Sequence, residues 1–331
     1  MSIVPLQNII ALKNSGYSYR GEDTSLLCNI FSKITQFLVP YIPNYIAPNL
    51  ITMIGFIFTL IATVYAFYGN IIGFIVSVII YMLLDNLDGA HARKTGLSSP
   101  TGELLDHSLD SISNTLITLS LCTLGGISIS ATFWIVQCMN IIFYCSHISS
   151  YYNGILKIGS IGPAESVFVA TGLVYICEYN NYNLNNIFSY VITMVLYYVM
   201  AGMFFIITRY PLILKTEKYI TDEQFKIKNI NQLTILSIPM LIIPLFINKI
   251  TVSDIITYSG VYHILTTETI LSKILKKSFN INILLVSVLL IMGIDLPIMS
   301  TITFLWYYIT ILTIFQTYIP SSICISKKLI F

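Results

Sequence analysis

The stretch Asp85–Asp110, DNLDGAHARKTGLSSPTGELLDHSLD, decides how the rest of the chain is read. It holds four aspartates, a glutamate, an arginine and two histidines, in a chain where 10% of residues are charged. Apolar runs long enough to cross a bilayer flank it on both sides. Ionisable groups at membrane depth are costly, so such a cluster points to function. Asp85 and Asp88 are three apart and share a helix face, and Asp106 and Asp110, four apart, do the same. Two such helices facing each other present four carboxylates to one point, and carboxylates that close need a countercharge to stay ionised. Divalent cations supply it, and hard oxygen ligands suit Mg²⁺ or Mn²⁺. Gly89 lets a ligand approach the backbone. Arg93, five residues after Asp88, fits a phosphate. Solvated helix ends joined by a salt bridge would not explain carboxylates paired on two successive helices.

The same residues carry a resemblance. The pattern D-x2-D-G-x2-A-R-x8-G-x3-D-x3-D is met in full by Asp85, Asp88, Gly89, Ala92, Arg93, Gly102, Asp106 and Asp110. It resembles the signature of the CDP-alcohol phosphatidyltransferase family. The eukaryotic choline/ethanolamine phosphotransferase branch is similar over a longer frame. It shares TGxSSPxGELxDHxxD from Thr95 to Asp110, APNLIT from Ala47 to Thr52, a Y-x-Y…D-x-S segment (Tyr17, Tyr19, Asp23, Ser25) and GPxE from Gly162 to Glu165. The resemblance runs from residue 11 to 165 and weakens beyond. One departure falls at Ser149–Gly154, SSYYNG, where relatives carry E-Y-H-T-G.

The resemblance implies transfer of phosphocholine or phosphoethanolamine from CDP-choline or CDP-ethanolamine to the hydroxyl of diacylglycerol, with release of CMP. It implies two Mg²⁺ or Mn²⁺ ions. Asp85 and Asp88 would hold one ion, Asp110 the other, and Asp106 both. Asn49 and Arg93 would contact the CDP portion, with Gly89 and Ala92 leaving room for it. His107 would be the base that takes the hydroxyl proton, with Asp110 its rival. Glu103, four residues before His107, either orients the ring or is an acidic residue favoured at a helix N-terminus. Glu165 either meets the cationic headgroup or caps a helix. The resemblance also implies a homodimer in the endoplasmic reticulum membrane.

Composition agrees with a membrane protein. The 331 residues are 56% hydrophobic, with mean hydropathy +0.80. At roughly 20 residues per span there is room for about ten helices, so the expected fold is an all-α, polytopic membrane protein. A net charge of +2 is too small to suggest a nucleic-acid partner. The first residues lack a basic region followed by a small-residue cleavage site, so no cleaved signal peptide is expected. Six cysteines stand singly, without CxxC or Cys/His metal spacing.

Residues 1–22 read as a polar arm. From Asp23 to Val39 an amphipathic pattern (Leu26, Leu27, Ile30, Phe31, Ile34, Phe37) predicts an interfacial helix, capped by Asp23 or Thr24 and ended by Pro40 and Pro43. Spans are expected near 48–68, 71–92, 101–124, 128–148, 160–178, 184–207, 230–248, 254–274, 279–296 and 300–323. The chain divides into an arm with its interfacial helix (1–47), a catalytic membrane domain (48–207) and C-terminal helices for dimerisation and lipid access (208–331). With ten spans, Lys249 alone of the seventeen Lys and Arg falls on the side opposite the motif. The positive-inside rule then places the motif at the cytosolic face.

Two rival readings stand beside this one. An acceptor such as inositol, serine or glycerol phosphate would need a basic pocket beyond Arg93 and Lys94. A cation transporter using the aspartates would call for discontinuous helices in two matching halves.

Overall fold

A computed structural model describes residues 21–180, 184, 192–199, 202 and 250–275. In chain order these form strand β1 (Gly21–Asp23), helix α1 (Cys28–Leu38), a 3-10 turn (Val39–Tyr41), α2 (Pro48–Phe67), α3 (Ile71–Thr95), α4 (Pro100–Leu124), α5 (Ile129–Asn153), strand β2 (Leu156–Ile158), α6 (Pro163–Tyr179) and α7 (Val252–Leu275). Residues 192–199 are also helical. Helices α1–α4 and α6 belong to one compact unit, α5 and α7 to another.

The ends of α3 and α4 follow from local chemistry. The Asn70 side chain accepts from Gly73 N at 2.8 Å and caps α3. Gly96, at φ 69°, closes α3 in the left-handed conformation that glycine adopts without penalty. Three residues later Ser99 Oγ accepts from Gly102 N at 3.0 Å, and Pro100 opens α4. The expected spans at 71–92 and 101–124 therefore fall on helices, with a tight connection between them.

Helix α2 packs on both α3 and α4 with a stripe of small residues. Ile51, Gly55, Thr59, Ala62 and Ala66 are buried, while Met53, Ile57, Leu60 and Val64 face outward. Small residues inward and large apolar ones outward suit helices surrounded by lipid, where close backbone approach drives association. A methyl group at Gly55 would lie 3.4 Å from Leu84 Cβ.

Among the described residues three helices are long and apolar enough to cross a membrane: α2, α3 and residues 129–152 of α5. Helix α4 is as long as α3 but more polar. Its inward side carries Ser108, Ser111, Ser113, Thr115, Thr118 and Ser120, all buried. Helix α7 likewise buries Thr257, Ser259, His263, Thr266, Thr267 and Glu268. The expected spans at 230–248, 279–296 and 300–323, and most of 184–207, lie outside the described residues. In the second unit α5 and α7 pack together. Asn140 Nδ2 donates to Ser259 Oγ at 3.1 Å, and the Phe133 and Tyr258 rings meet edge to face with centroids 5.2 Å apart.

The N-terminal segment departs from the helix expected at Asp23. Residues 21–23 pair as a strand with β2. Thr24 donates twice to Ile158 O, from its N–H at 3.1 Å and its hydroxyl at 3.0 Å. Lys157 and Glu22 form an exposed ion pair at 3.2 Å. The Asp23 carboxylate accepts from Ser25 N at 2.8 Å, and α1 starts at Cys28 without a side-chain cap. Neither Asp23 nor Thr24 caps the helix, because strand pairing holds both short of it. At the other end Lys94 Nζ donates to Val39 O (2.9 Å) and Ile42 O (3.1 Å), satisfying carbonyls where α1 and the 3-10 turn stop. His91 Nε2 donates to Ile46 O at 2.9 Å. The C-terminal end of α3 thus holds the segment leading into α2. Phe31 and Thr35 of α1 face inward, while Leu26, Ile30, Ile34 and Phe37 are exposed. The five described cysteines are free. Burial, followed by the neighbouring Asp23 charge, pushes the Cys28 thiol up.

Candidate active site

The last turns of α3 and the first turns of α4 bring the acidic residues together. Asp85 lies close to Asp110, Asp88 and Asp106. Asp106 in turn has Asp88, Asp110, Asp85 and Glu103 as its nearest charges. Asp88 is buried, and Asp85, Asp106 and Asp110 are half-buried. The imidazole of His107 is buried beside them, its Nδ1 3.7 Å from Asp110 Oδ2. One ligand atom each from Asp106, His107 and Asp110 lies within 4.8 Å of the others.

This donor set fits a divalent cation. Asp106 Oδ1 is buried and accepts no hydrogen bond from the described residues. A buried carboxylate oxygen without a donor, among three further carboxylates, is costly unless a cation meets it. The oxygens are hard ligands of the kind Mg²⁺ and Mn²⁺ prefer.

The remaining candidates lie on α2, α3 and α4. A methyl group at Gly102 would come within 3.2 Å of Ser99 Oγ and 3.5 Å of Asn49 Oδ1, so Asn49 lies against the first turn of α4. A methyl at Gly89 would lie 3.3 Å from Arg93 Nη1: the guanidinium folds back one turn over the glycine. Ala92 is half-buried, and its carbonyl accepts from Leu97 N at 2.9 Å. Glu103 is buried in the first turn of α4.

Glu165 performs a separate task. Its Oε1 accepts from Leu27 N at 2.5 Å and its Oε2 from Gly162 N at 2.8 Å. One carboxylate thereby satisfies the start of α6 and ties it to the start of α1. Gly162 permits this approach, since a Cβ there would lie 2.9 Å from Glu165 Oε2 and 3.0 Å from Ser25 Cβ. Replacing Glu165 with alanine leaves both N–H groups without that acceptor, at roughly 1–3 kcal/mol each. The expected outcome is faster amide exchange at residues 24–31, with exchange in α3 unchanged, measured by hydrogen–deuterium exchange in detergent. Unchanged exchange at Leu27 would show that the latch contributes nothing.

Two contacts escape the sequence reading. The Thr52 hydroxyl donates to Asp88 Oδ2. The Tyr81 hydroxyl donates to Asp110 Oδ1 at 2.9 Å. Tyr81 lies four residues before Asp85, on the same helix face, and that spacing is the clue that could have found it. Thr52 stands within the APNLIT segment, but nothing local assigns it a partner.

The fold and the acidic centre define a helical membrane protein with a site competent for a divalent cation. Residues 45–177 match the family model described as CDP-alcohol phosphatidyltransferase. It is 32% identical to choline/ethanolaminephosphotransferase 1 of Saccharomyces cerevisiae over 180 residues, 50% of this chain and 46% of that protein. It is 30% identical to cholinephosphotransferase 1 of Danio rerio (52% and 48% covered) and of Homo sapiens (48% and 42% covered). The chain spans about half the length of the curated relatives it matches.

Proposed function

We propose that the protein transfers phosphocholine or phosphoethanolamine from a CDP-alcohol to the hydroxyl of diacylglycerol, giving phosphatidylcholine or phosphatidylethanolamine and CMP. The observation that carries this is the convergence of Asp85, Asp88 and Asp110 on Asp106, whose buried Oδ1 has no hydrogen-bond partner among the described residues, with His107 beside them. The names of the similar proteins supply the two headgroups.

In the reaction the diacylglycerol oxygen bonds to the headgroup-bearing phosphorus, the phosphoanhydride bond to CMP breaks, and the hydroxyl proton goes to a base. Asp85, Asp88, Asp106 and Asp110 would hold two Mg²⁺ or Mn²⁺ ions. When bound, these neutralise diphosphate charge and stabilise the charge that develops on the leaving phosphate. Arg93, on the exposed edge of α3, would pair with a phosphate, and Asn49, at the start of α2, would contact the nucleotide. His107, with Nδ1 beside Asp110 Oδ2, would take the hydroxyl proton.

The wider setting follows the same reading. The protein sits in the endoplasmic reticulum membrane with ten spans, its site facing the cytosol. That orientation is supported by the one-sided distribution of lysine and arginine. Residues 48–207 form the catalytic domain, residues 208–331 serve dimerisation and lipid access, and α1 lies in the membrane interface on its exposed Ile30, Ile34 and Phe37. The test is CMP release by purified protein in detergent with diacylglycerol, comparing CDP-choline with CDP-ethanolamine and adding a chelator. Chelator-sensitive release is expected, and the ratio between donors assigns the headgroup. No release from either donor, with folded protein and added Mg²⁺ or Mn²⁺, would overturn the reading.

A further inference from the structure

Two hydroxyls reach the acidic cluster from outside it, each across a helix boundary. Thr52 of α2 donates to Asp88 Oδ2 on α3, and Tyr81 of α3 donates to Asp110 Oδ1 on α4. Neither is an isolated contact. The Ser113 hydroxyl stands beside the Tyr81 oxygen and lies 3.2 Å from Thr59 Oγ1, so α2, α3 and α4 share one line of hydroxyls ending at Asp110. The two Asp110 oxygens are differently engaged: Oδ1 takes the phenol, and Oδ2 is the atom beside His107 Nδ1.

We propose that Thr52 and Tyr81 are positioning residues for the cluster, each fixing one oxygen of an aspartate so that the carboxylate presents its other oxygen to a divalent cation. The proposal rests on reading the cluster as the metal centre of the transfer reaction. The donor chemistry supports it. A lysine or arginine in either place would neutralise the carboxylate and compete with the cation. A neutral hydroxyl orients the carboxylate and leaves its charge available. Hydrogen bonds of this kind hold metal-binding groups in place, and their loss weakens metal binding by roughly 10–100-fold. Tyr81 has a second effect, because turning the Asp110 carboxylate also moves the oxygen that faces His107.

The experiment is a Mn²⁺ titration of the detergent-purified full chain, following free Mn²⁺ by electron paramagnetic resonance. Wild type is compared with D106A, Y81F, T52V and T52S, and kcat and KM for the CDP-alcohol are measured alongside. Y81F and T52V are expected to weaken Mn²⁺ binding by about 10–100-fold, with T52S close to wild type because it keeps the hydroxyl. Y81F is also expected to lower kcat with KM little changed. Should T52V fail to fold, Y81F, which keeps the ring, carries the test. If wild type binds Mn²⁺ more tightly than D106A but Y81F binds as wild type does, the positioning role is overturned and the metal-centre reading stands. If D106A binds as wild type does, the metal-centre reading itself fails, and the proposal with it.

Discussion

Replacing Asp106 with asparagine is expected to lower CMP release by about 10³-fold and, in the presence of chelator, to raise the melting temperature. The two effects have one cause. Asp106 faces the charges of Asp88, Asp110, Asp85 and Glu103, and its Oδ1 is buried without a donor among the described residues. Without a cation this arrangement is repulsive, and losing one negative charge relieves it. With a cation the same charges become the binding energy of the site. Removing one preorganised electrostatic group from an active site costs on the order of 10²–10³ in rate, and the centrality of Asp106 puts it at the upper end. Asparagine nearly matches aspartate in shape, so the loss reports charge rather than packing. The opposed signs make the experiment discriminating. A structural salt bridge would lose stability on the same substitution, whereas a site whose charges await a cation gains it. Activity within tenfold of wild type, measured as CMP release, would remove Asp106 from the centre of the mechanism.

Legibility in the sequence divides along contact distance. The ends of α3 and α4 could be read because Asn70, Gly96, Ser99 and Pro100 act on residues within one turn. The pairing of the aspartates was equally legible, since helical spacing alone puts Asp85 with Asp88 and Asp106 with Asp110. The hydroxyl contacts were not. Tyr81 and Asp110 are 29 residues apart, Thr52 and Asp88 36 apart. The spacing of Tyr81 to Asp85 points to the cluster but does not name Asp110, and nothing local gives Thr52 a partner. Glu165 shows the limit in another form. Capping and headgroup contact were both open from its place in GPAE, and the structure commits one of its oxygens to a backbone N–H 138 residues away. The start of α1 was misplaced for a related reason: Asp23 and Thr24 have good helix-capping chemistry, but pairing near Lys157 and Ile158 recruits them first. Helix α4 was expected simply as a span, yet its polarity is directed inward, onto buried serines and threonines that hydropathy counts against it.

His107 admits two chemical roles, and a single substitution read two ways separates them. Its ring lies close enough to Asp106 and Asp110 to serve as a third ligand. It also stands with Nδ1 toward Asp110 Oδ2 at 3.7 Å, longer than a hydrogen bond but close enough for a carboxylate to favour one ring orientation. The ligand role suits imidazole-seeking metals; a centre of four carboxylates selects harder ions, for which a nitrogen donor adds little. The base role needs an imidazole at the edge of the cluster, aligned by a carboxylate and presenting its second nitrogen to the acceptor hydroxyl. H107A is therefore expected to lower kcat by roughly 10²–10⁴-fold, with Mn²⁺ affinity near that of wild type. A parallel loss of Mn²⁺ affinity would make His107 a ligand and return the proton to Asp110. Activity retained within tenfold, with affinity intact, would give the same answer by another route. The carboxylate that orients the ring would then be the group that takes the proton, and Tyr81, its hydrogen-bond donor, would tune the base directly.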